Sequence, residues 1–284
     1  MLDNNRFREF PEEVCLLRSL EVLSISKTEI SDISPQIVDL DRLKKLALDS
    51  NDIRELPKCL VLMKTLEVLQ VSNNKIEELP LSIGNLTNLH VLDVSCNDIE
   101  HLPPSLGDLS RLEVLDAKIN QLREVPEEIG ECDQLRHLNL SNNAIVALPK
   151  RFGRLKDLVA LKLAANQLRR LPFELLDLEF LEEVQLYGNP FPNVPSGLNV
   201  KGTESCRFLM QALQKVLYPK GDPDATEGSS NNNSGGGAGP AAQLLQNVSN
   251  NLTAGSLGGD QPKARRTLDM DAAMEGSPAA AATT

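Results

Sequence analysis

The feature that most constrains this chain is a repeat with a period of 23 residues. The repeat is clearest at residues 66–88, LEVLQVSNNKIEELPLSIGNLTN, and it starts again at residues 89 and 112. Eight copies carry an apolar residue at positions 1, 4, 6, 11, 14 and 18, and they begin at Leu20, Leu43, Leu66, Leu89, Leu112, Leu135, Leu158 and Leu181. A unit this short cannot bury its apolar face alone, so the period predicts a solenoid whose stacked repeats share one core.

The constant positions have separate physical roles. Positions 1, 4 and 6 alternate like the inward face of a short strand, as in Leu66, Leu69 and Val71. Position 9 is asparagine, whose amide both donates and accepts hydrogen bonds and is predicted to satisfy buried turns. Position 15 is proline, which fixes φ where the chain bends toward the outer side. These residues are Asn51, Asn74, Asn97, Asn120, Asn143, Asn166 and Asn189, and Pro57, Pro80, Pro103, Pro126, Pro149, Pro172 and Pro195.

The pattern, with its L-x-x-L-x-L-x-x-N opening and LPxxI/L-G-x-L continuation, resembles the intracellular Ras-group class of leucine-rich repeats. That class is found in scribble- and erbin-like scaffolds and in plant intracellular relatives. A GNPF turn at residues 188–191, followed by KGT at residues 201–203, is similar to the carboxy-terminal cap of such proteins. The resemblance covers residues 2 to about 217. It implies an α/β solenoid, a leucine-rich-repeat horseshoe with a parallel inner sheet, a cap helix and a disordered tail.

The chain divides into four predicted segments. Residues 1–19 form a partial amino-terminal repeat, and residues 20–200 form eight repeats of 23 residues. Residues 201–217 are predicted to form the cap helix because their apolar residues fall mostly on one helical face. Residues 218–284 are rich in Asn, Gly, Ser and Ala, a composition that buries too little apolar surface to order a tail.

The amino-terminal end lacks a polar cap. Phe7, Phe10 and Leu17 are expected to face water or a component that this sequence does not contain. Three explanations stay open: a truncated or alternative form of a longer protein, which we favour, a partner that covers the edge, or an imperfect natural cap.

Composition and charge limit the classes of partner. The formal net charge of −11 argues against general binding of nucleic acids or anionic membranes. The sequence shows no apolar run of the length of a signal peptide or a membrane span. The five cysteines are odd in number and scattered, unlike the clustered disulfides of secreted repeat proteins. We therefore expect structural thiols and a cytoplasmic chain, with a nuclear location also possible.

Function on such a scaffold is expected on the outward strand positions that line the concave face. A surface of this length suits a protein or peptide better than a small-molecule substrate. Its centre is acidic, with Asp93 beside Asp116, and the later repeats turn basic. The predicted partner-binding residues are Glu67, Gln70, His90, Asp93, Glu113, Asp116, Lys118, Arg136, His137, Lys162 and Tyr187.

Enzymatic chemistry is the weaker hypothesis for this face. Asp93 and Asp116 lie on adjacent strands and could form an acid/base pair, but an open face admits water and no nucleophile or pocket accompanies them. We favour a solvated patch for a basic partner. His90 and His137 lie two repeats, or roughly 10 Å, apart, too far to share one metal ion. We therefore expect no enzymatic activity, no metal and no cofactor.

The preferred hypothesis is a non-enzymatic protein–protein interaction scaffold in intracellular signalling. The resemblance implies a small GTPase, a phosphatase subunit or a polarity complex as the partner. One alternative is a regulatory or targeting subunit of an enzyme such as a phosphatase or a ubiquitin ligase. Another is a reader of phosphoproteins or, less favoured, nucleic acids, using the basic residues of repeats 135–172, which carry a formal charge of +7.

Overall fold

The computed structural model describes residues 1–192, 194 and 197–218. In this part of the chain, nine strands form one open sheet in chain order, and one α-helix follows them. Strands β1 to β8 are parallel, as the sequence predicted. The elements are β1 (Val22–Ser24), β2 (Lys45–Ala47), β3 (Val68–Gln70), β4 (Val91–Asp93), β5 (Val114–Asp116), β6 (His137–Asn139), β7 (Ala160–Lys162), β8 (Glu183–Gln185), β9 (Asn199–Lys201) and α1 (Thr203–Leu217).

The strand register follows directly from the period. Leu69 pairs with Leu92, and Leu92 pairs with Leu115, so residues 23 apart are neighbours across the sheet. The leucines that begin the repeats at residues 66, 89 and 112 are fully buried. Repetition therefore places like residues in columns, and the columns form one continuous apolar core.

The outer side is built from short 3₁₀ turns that begin after the proline position. Pro57, for example, has φ of −60°, and its carbonyl accepts the Leu60 N–H at 2.8 Å. Pro195 lies outside the described residues. The 3₁₀ segments are Glu12–Leu16, Pro35–Asp39, Lys58–Leu62, Ile83–Asn85, Pro104–Asp108, Glu127–Glu131, Lys150–Arg154 and Phe173–Asp177.

Glycine at position 19 allows the outer turns of the central repeats to stack closely. A Cβ atom on Gly107 would lie 2.3 Å from the backbone oxygen of Glu128 in the next repeat. Gly84, Gly130 and Gly153 meet the same obstacle. The central outer turns therefore approach one another at distances that leave no room for a methyl group.

The asparagines of position 9 form the predicted ladder. The Asn97 amide donates to the carbonyls of Val71 and Val94, both at 3.0 Å, and its Oδ1 accepts the Ile76 N–H at 3.0 Å. Asn51, Asn74, Asn120, Asn143, Asn166 and Asn189 repeat this pattern, except that the N–H donated to the Asn51 Oδ1 is that of Thr28. Each amide thus satisfies backbone groups of its own turn and of the preceding one.

The amino-terminal end is better covered than the sequence predicted. The Leu2 N–H donates to Ser24 O at 2.8 Å, which extends the pairing beyond β1. Phe10 is buried at 8% exposure, so its expected exposure was wrong. Phe7 packs half-buried against the core, while Leu17 remains 56% exposed.

The carboxy-terminal end differs from the predicted boundary. Lys201, predicted as the first residue of the cap helix, instead ends β9, which pairs with β8 in the antiparallel direction. Val200 fills the core at 1% exposure, and α1 begins at Thr203. The sheet thus ends on a strand that reverses direction before the helix packs against it. The predicted disordered tail lies outside the described residues beyond Tyr218.

Candidate functional site: the concave face of the sheet

The predicted binding residues share the concave side of the sheet, but they differ widely in exposure. Glu67 and Tyr187 are exposed, whereas the buried members are Gln70 (9% exposed), Asp93 (8%), Asp116 (1%) and His137 (7%). His90, Glu113, Lys118, Arg136 and Lys162 are half-buried. The expectation of a fully solvated acidic patch was therefore wrong. Strands about 4.8 Å apart place side chains of the same register on both flanks of a short aspartate, and these neighbours exclude water.

Asp116 is held by groups from its own and the following repeat. Its Oδ1 accepts the Lys118 N–H at 3.0 Å, and its Oδ2 lies 3.2 Å from Lys118 Nζ. The Asn139 amide donates to the same Oδ2 at 3.3 Å. Burial alone lowers the pKa of Lys118, but the pKa is raised overall because Asp116, Asp93 and Cys96 favour the ammonium form. Asp116 and Lys118 thus form a structural ion pair at the centre of the face.

Asp93 lies one strand earlier in an environment that disfavours its charge. Its Oδ1 accepts the Ser95 N–H at 3.0 Å. Burial raises the pKa of Asp93 to about 6, and the carboxylates of Asp116 and Asp49 contribute in the same direction, against the hydrogen bonds from Ser95. Negative charge at Asp93 is therefore only partly compensated, and a positive group placed beside it would be stabilised.

The structure adds residues that were not among the predicted binding residues. Asp49 belongs to the electrostatic surroundings of Asp93, and its Oδ1 accepts both the N–H and the hydroxyl of Ser72 at 2.9 Å. Ser141 lies two residues after Asn139, and its hydroxyl oxygen is buried with no hydrogen-bond partner in the described part of the chain. Both residues occupy position 7 of their repeats, so the 23-residue register could have identified them from the sequence.

A column of residues with positive φ lies at one edge of the face. It occupies position 8, where Asn73, Asn142 and Ala165 have φ between 52° and 57°. Ile119 stands in the same column with φ of 54° and is 48% exposed. A β-branched residue is strained in this region, and here it presents an apolar side chain beside Lys118.

The basic residues of repeats 135–172 do not form one patch. On the outer side, Arg151 contacts Glu127 and Glu131, and Arg154 contacts Glu131 at 2.7 Å. On the inner side, Lys162 lies 3.8 Å from Glu183. Acidic partners therefore offset much of the formal positive charge, which disfavours the alternative of a phosphoprotein or nucleic-acid reader.

The five cysteines are free thiols. Burial raises the pKa of Cys132 and of Cys206 to about 12, with smaller contributions from nearby carboxylates, and burial also raises the pKa of Cys15. The thiols of these three cysteines therefore stay protonated at neutral pH and act as packing groups. Within residues 1–192, 194 and 197–218 there is no group of three or more His, Cys, Asp or Glu side chains placed to hold a metal ion. No helix in the same residues has the length and apolarity needed to cross a membrane.

Comparisons with known proteins agree with this architecture. Residues 87–145 match the family described as leucine rich repeat, and residues 64–104 match the family described as leucine rich repeats in two copies. No curated protein sequence matches the chain. The central part of the chain thus carries leucine-rich repeats.

Solved structures with the same fold include proteins of bacteria and plants. A leucine-rich-repeat protein of Leptospira interrogans is 31% identical, with a TM-score of 0.65 over 76% of this chain and 51% of its own. The plant peptide hormone receptor RGFR1, solved in complex with RGF2, is 30% identical, with a TM-score of 0.61 over 67% of this chain and 31% of its own. An internalin of Listeria monocytogenes is 22% identical, with a TM-score of 0.59 over 68% of this chain and 56% of its own, and shows the fold alone. The chain therefore spans from about a third to just over half of these proteins.

Proposed function

We propose that this chain is a non-enzymatic protein-interaction module whose partner binds across the concave face from β4 to β8. The observation that carries the proposal is the buried, only partly compensated carboxylate of Asp93 at the centre of that face. A basic side chain of the partner would neutralise it in a site of low water access, where charge pairing is stronger than in bulk water.

The fold supports this proposal in general terms. Leucine-rich-repeat proteins commonly act as protein-binding modules, and one structural neighbour, RGFR1, was solved in complex with RGF2. Along this face, the exposed aromatic Tyr187 and the half-buried Arg136 are of the residue types that concentrate interface energy. The partner therefore lays a basic segment over Asp93 and an apolar or acidic group near Tyr187.

The repeat sequence supports a more specific proposal for the repeat class and the type of partner. The 23-residue LPxxI/L-G-x-L pattern supports membership of the intracellular Ras-group class, with a small GTPase or a phosphatase subunit as the partner type and signalling as the context. Five free thiols support a reducing compartment such as the cytoplasm.

The test is a cross-linking pull-down with two matched double variants of the full chain. Asp93→Asn with Asp116→Asn removes the inner charges while keeping acceptor geometry, because Asn139 occupies the same position in β6 and its Oδ1 accepts the Ser141 N–H at 3.2 Å. Arg151→Gln with Arg154→Gln alters the outer side to the same extent. Proteins captured by the natural chain should be lost with the inner variant and kept with the outer one. The reverse result would move the binding site to the outer face.

A further inference from the structure

We infer that the concave face binds a segment of its own chain, the basic run Lys263-Ala264-Arg265-Arg266 in the tail that follows Tyr218. This inference rests on the proposed function, because it places an internal competitor on the same surface that a partner would use. The occupant is a short segment with three positive charges, on Lys263, Arg265 and Arg266.

The first support is the arrangement of charge on the face. Asp116 lies one repeat after Asp93 and Asp49 lies two repeats before it, and both carboxylates interact electrostatically with Asp93. One ammonium group, Lys118, contacts Asp116 at 3.2 Å. The face thus has an acceptor surface for further positive charge, centred on Asp93.

The second support is an unsatisfied polar group on the same face. The hydroxyl oxygen of Ser141 is buried without a hydrogen-bond partner among the described residues, and Ser141 as a whole is 6% exposed. By register it lies beside Lys118, one strand beyond Asp116. A buried hydroxyl without a partner costs free energy that a ligand donor would recover. Asp93, Asp116 and Ser141 together span two strand spacings, about 10 Å, which fits two neighbouring basic side chains.

The third support is the composition and length of the tail. Three of the four basic residues after Tyr218 fall within residues 263–266, so the tail offers one concentrated cationic site. About 45 residues separate Tyr218 from Lys263, a chain length with a maximum span of roughly 150 Å. The distance from β9 back to β4 is five strand spacings, or about 24 Å. The basic run therefore reaches the acidic centre easily, and its covalent linkage gives it a high effective concentration there.

The experiment uses the full chain with the photo-cross-linker p-benzoylphenylalanine in place of Ala264. Irradiation followed by peptide mapping should place cross-links mainly on residues 89–142. The same cross-linker in place of Ala254, ten residues earlier and away from basic neighbours, serves as the matched control and should give about fivefold less cross-linking to that region. Because the contact is between charges, roughly 0.5 M NaCl should reduce the Ala264 signal severalfold.

Two variants separate the inference from unrelated effects. Lys263→Glu with Arg265→Glu and Arg266→Glu changes only the tail and should abolish the focused cross-links without changing the melting temperature. Asp93→Asn with Asp116→Asn should reduce them severalfold while the melting curve shows a folded chain. Equal cross-linking from positions 264 and 254, or a pattern that survives the tail reversal, would overturn the inference. The inference would also be overturned if, in a mixture of isotopically labelled and unlabelled chains, the cross-links formed only between two different copies.

The proposed function and this inference fail in different ways. If the tail does not cross-link to the face but the inner variant still loses captured partners, only the tail inference is wrong. If the tail docks but partner capture is unaffected by the inner variant, the inference stands and the partner site lies elsewhere.

Discussion

The Asn97 side chain donates to the carbonyl of Val71, 26 residues earlier in the chain, at 3.0 Å. This bond joins two successive turns through a single amide. The same amide satisfies two carbonyls and one N–H that stacking has removed from water. The ladder of such residues therefore links each repeat to its neighbour.

Asn97→Ala and Asn120→Ala should each lower the free energy of unfolding by about 1–3 kcal/mol, because buried backbone groups lose their partners. Urea denaturation provides the measurement. Asn5→Ala is the control, since among the described residues the Asn5 amide donates only within its own exposed turn, to Leu2 O and Asp3 O. A loss at Asn5 as large as that at Asn97 would contradict the role assigned to the ladder.

Gly107→Ala should destabilise the fold by about 1–3 kcal/mol, because the added Cβ would lie 2.3 Å from the Glu128 carbonyl oxygen and the turns must separate. Gly197→Ala is the control, because no atom of the described residues lies within 4 Å of a Cβ placed there. The melting temperatures of the two variants test this prediction. Similar melting temperatures for both would show that the outer turns relax freely.

Ile119→Asn should raise the free energy of unfolding by roughly 0.5–1 kcal/mol. Ile119 has φ of 54°, a region that asparagine adopts more easily than a β-branched residue, and Asn73 and Asn142 already occupy the same column. Its side chain is about half exposed, so little packing is lost. A lower denaturation midpoint for the variant would show that Ile119 contributes more by packing than it costs in backbone strain.

The stability of the natural chain should fall between about pH 4 and pH 6 through Asp93. The pKa of this carboxyl is raised from 3.8 to about 6 in the folded state, so in that window the folded chain binds more protons than the unfolded chain. The free energy of unfolding therefore decreases as pH rises, by about 1–3 kcal/mol in total from this group.

Asp93→Asn isolates that contribution, since the other titrating groups remain. The free energy of unfolding of the variant minus that of the natural chain should become more positive from pH 4 to pH 7, because only the natural chain loses stability through Asp93 as pH rises. Parallel pH profiles for the two proteins would show that Asp93 ionises normally in the folded state.

Removal of residues 222–284 should shift the melting temperature by less than about 2 °C. The described core is already closed by α1 and by Tyr218, whose hydroxyl donates to Leu171 O at 3.0 Å. Docking of the basic run is compatible with this result. If its dissociation constant is close to its effective concentration at the face, docking stabilises the folded chain by only about 0.4 kcal/mol. A drop of several degrees in differential scanning calorimetry would instead indicate apolar packing of the tail on the repeats.

The sequence alone determined the fold, the strand register and the asparagine ladder. These features follow from the period, because each repeat contacts a neighbour that carries the same residue types 23 positions away. Leu69 opposite Leu92, and Asn97 bound to Val71, are consequences of that regularity. A local pattern was enough because almost every contact in a solenoid is between adjacent repeats.

Tertiary structure decided the exposure of the concave face and the way the sheet ends. The sequence predicted that Asp93 and Asp116 would be exposed, yet both are buried. Their burial depends on the spacing of the flanking strands and on the side chains that those strands carry. The antiparallel β9 arises at a point where the repetition stops, so no column predicted that Val200 would fill the core. Periodicity specifies which residues become neighbours, whereas the water left between them is set only when the whole sheet is assembled.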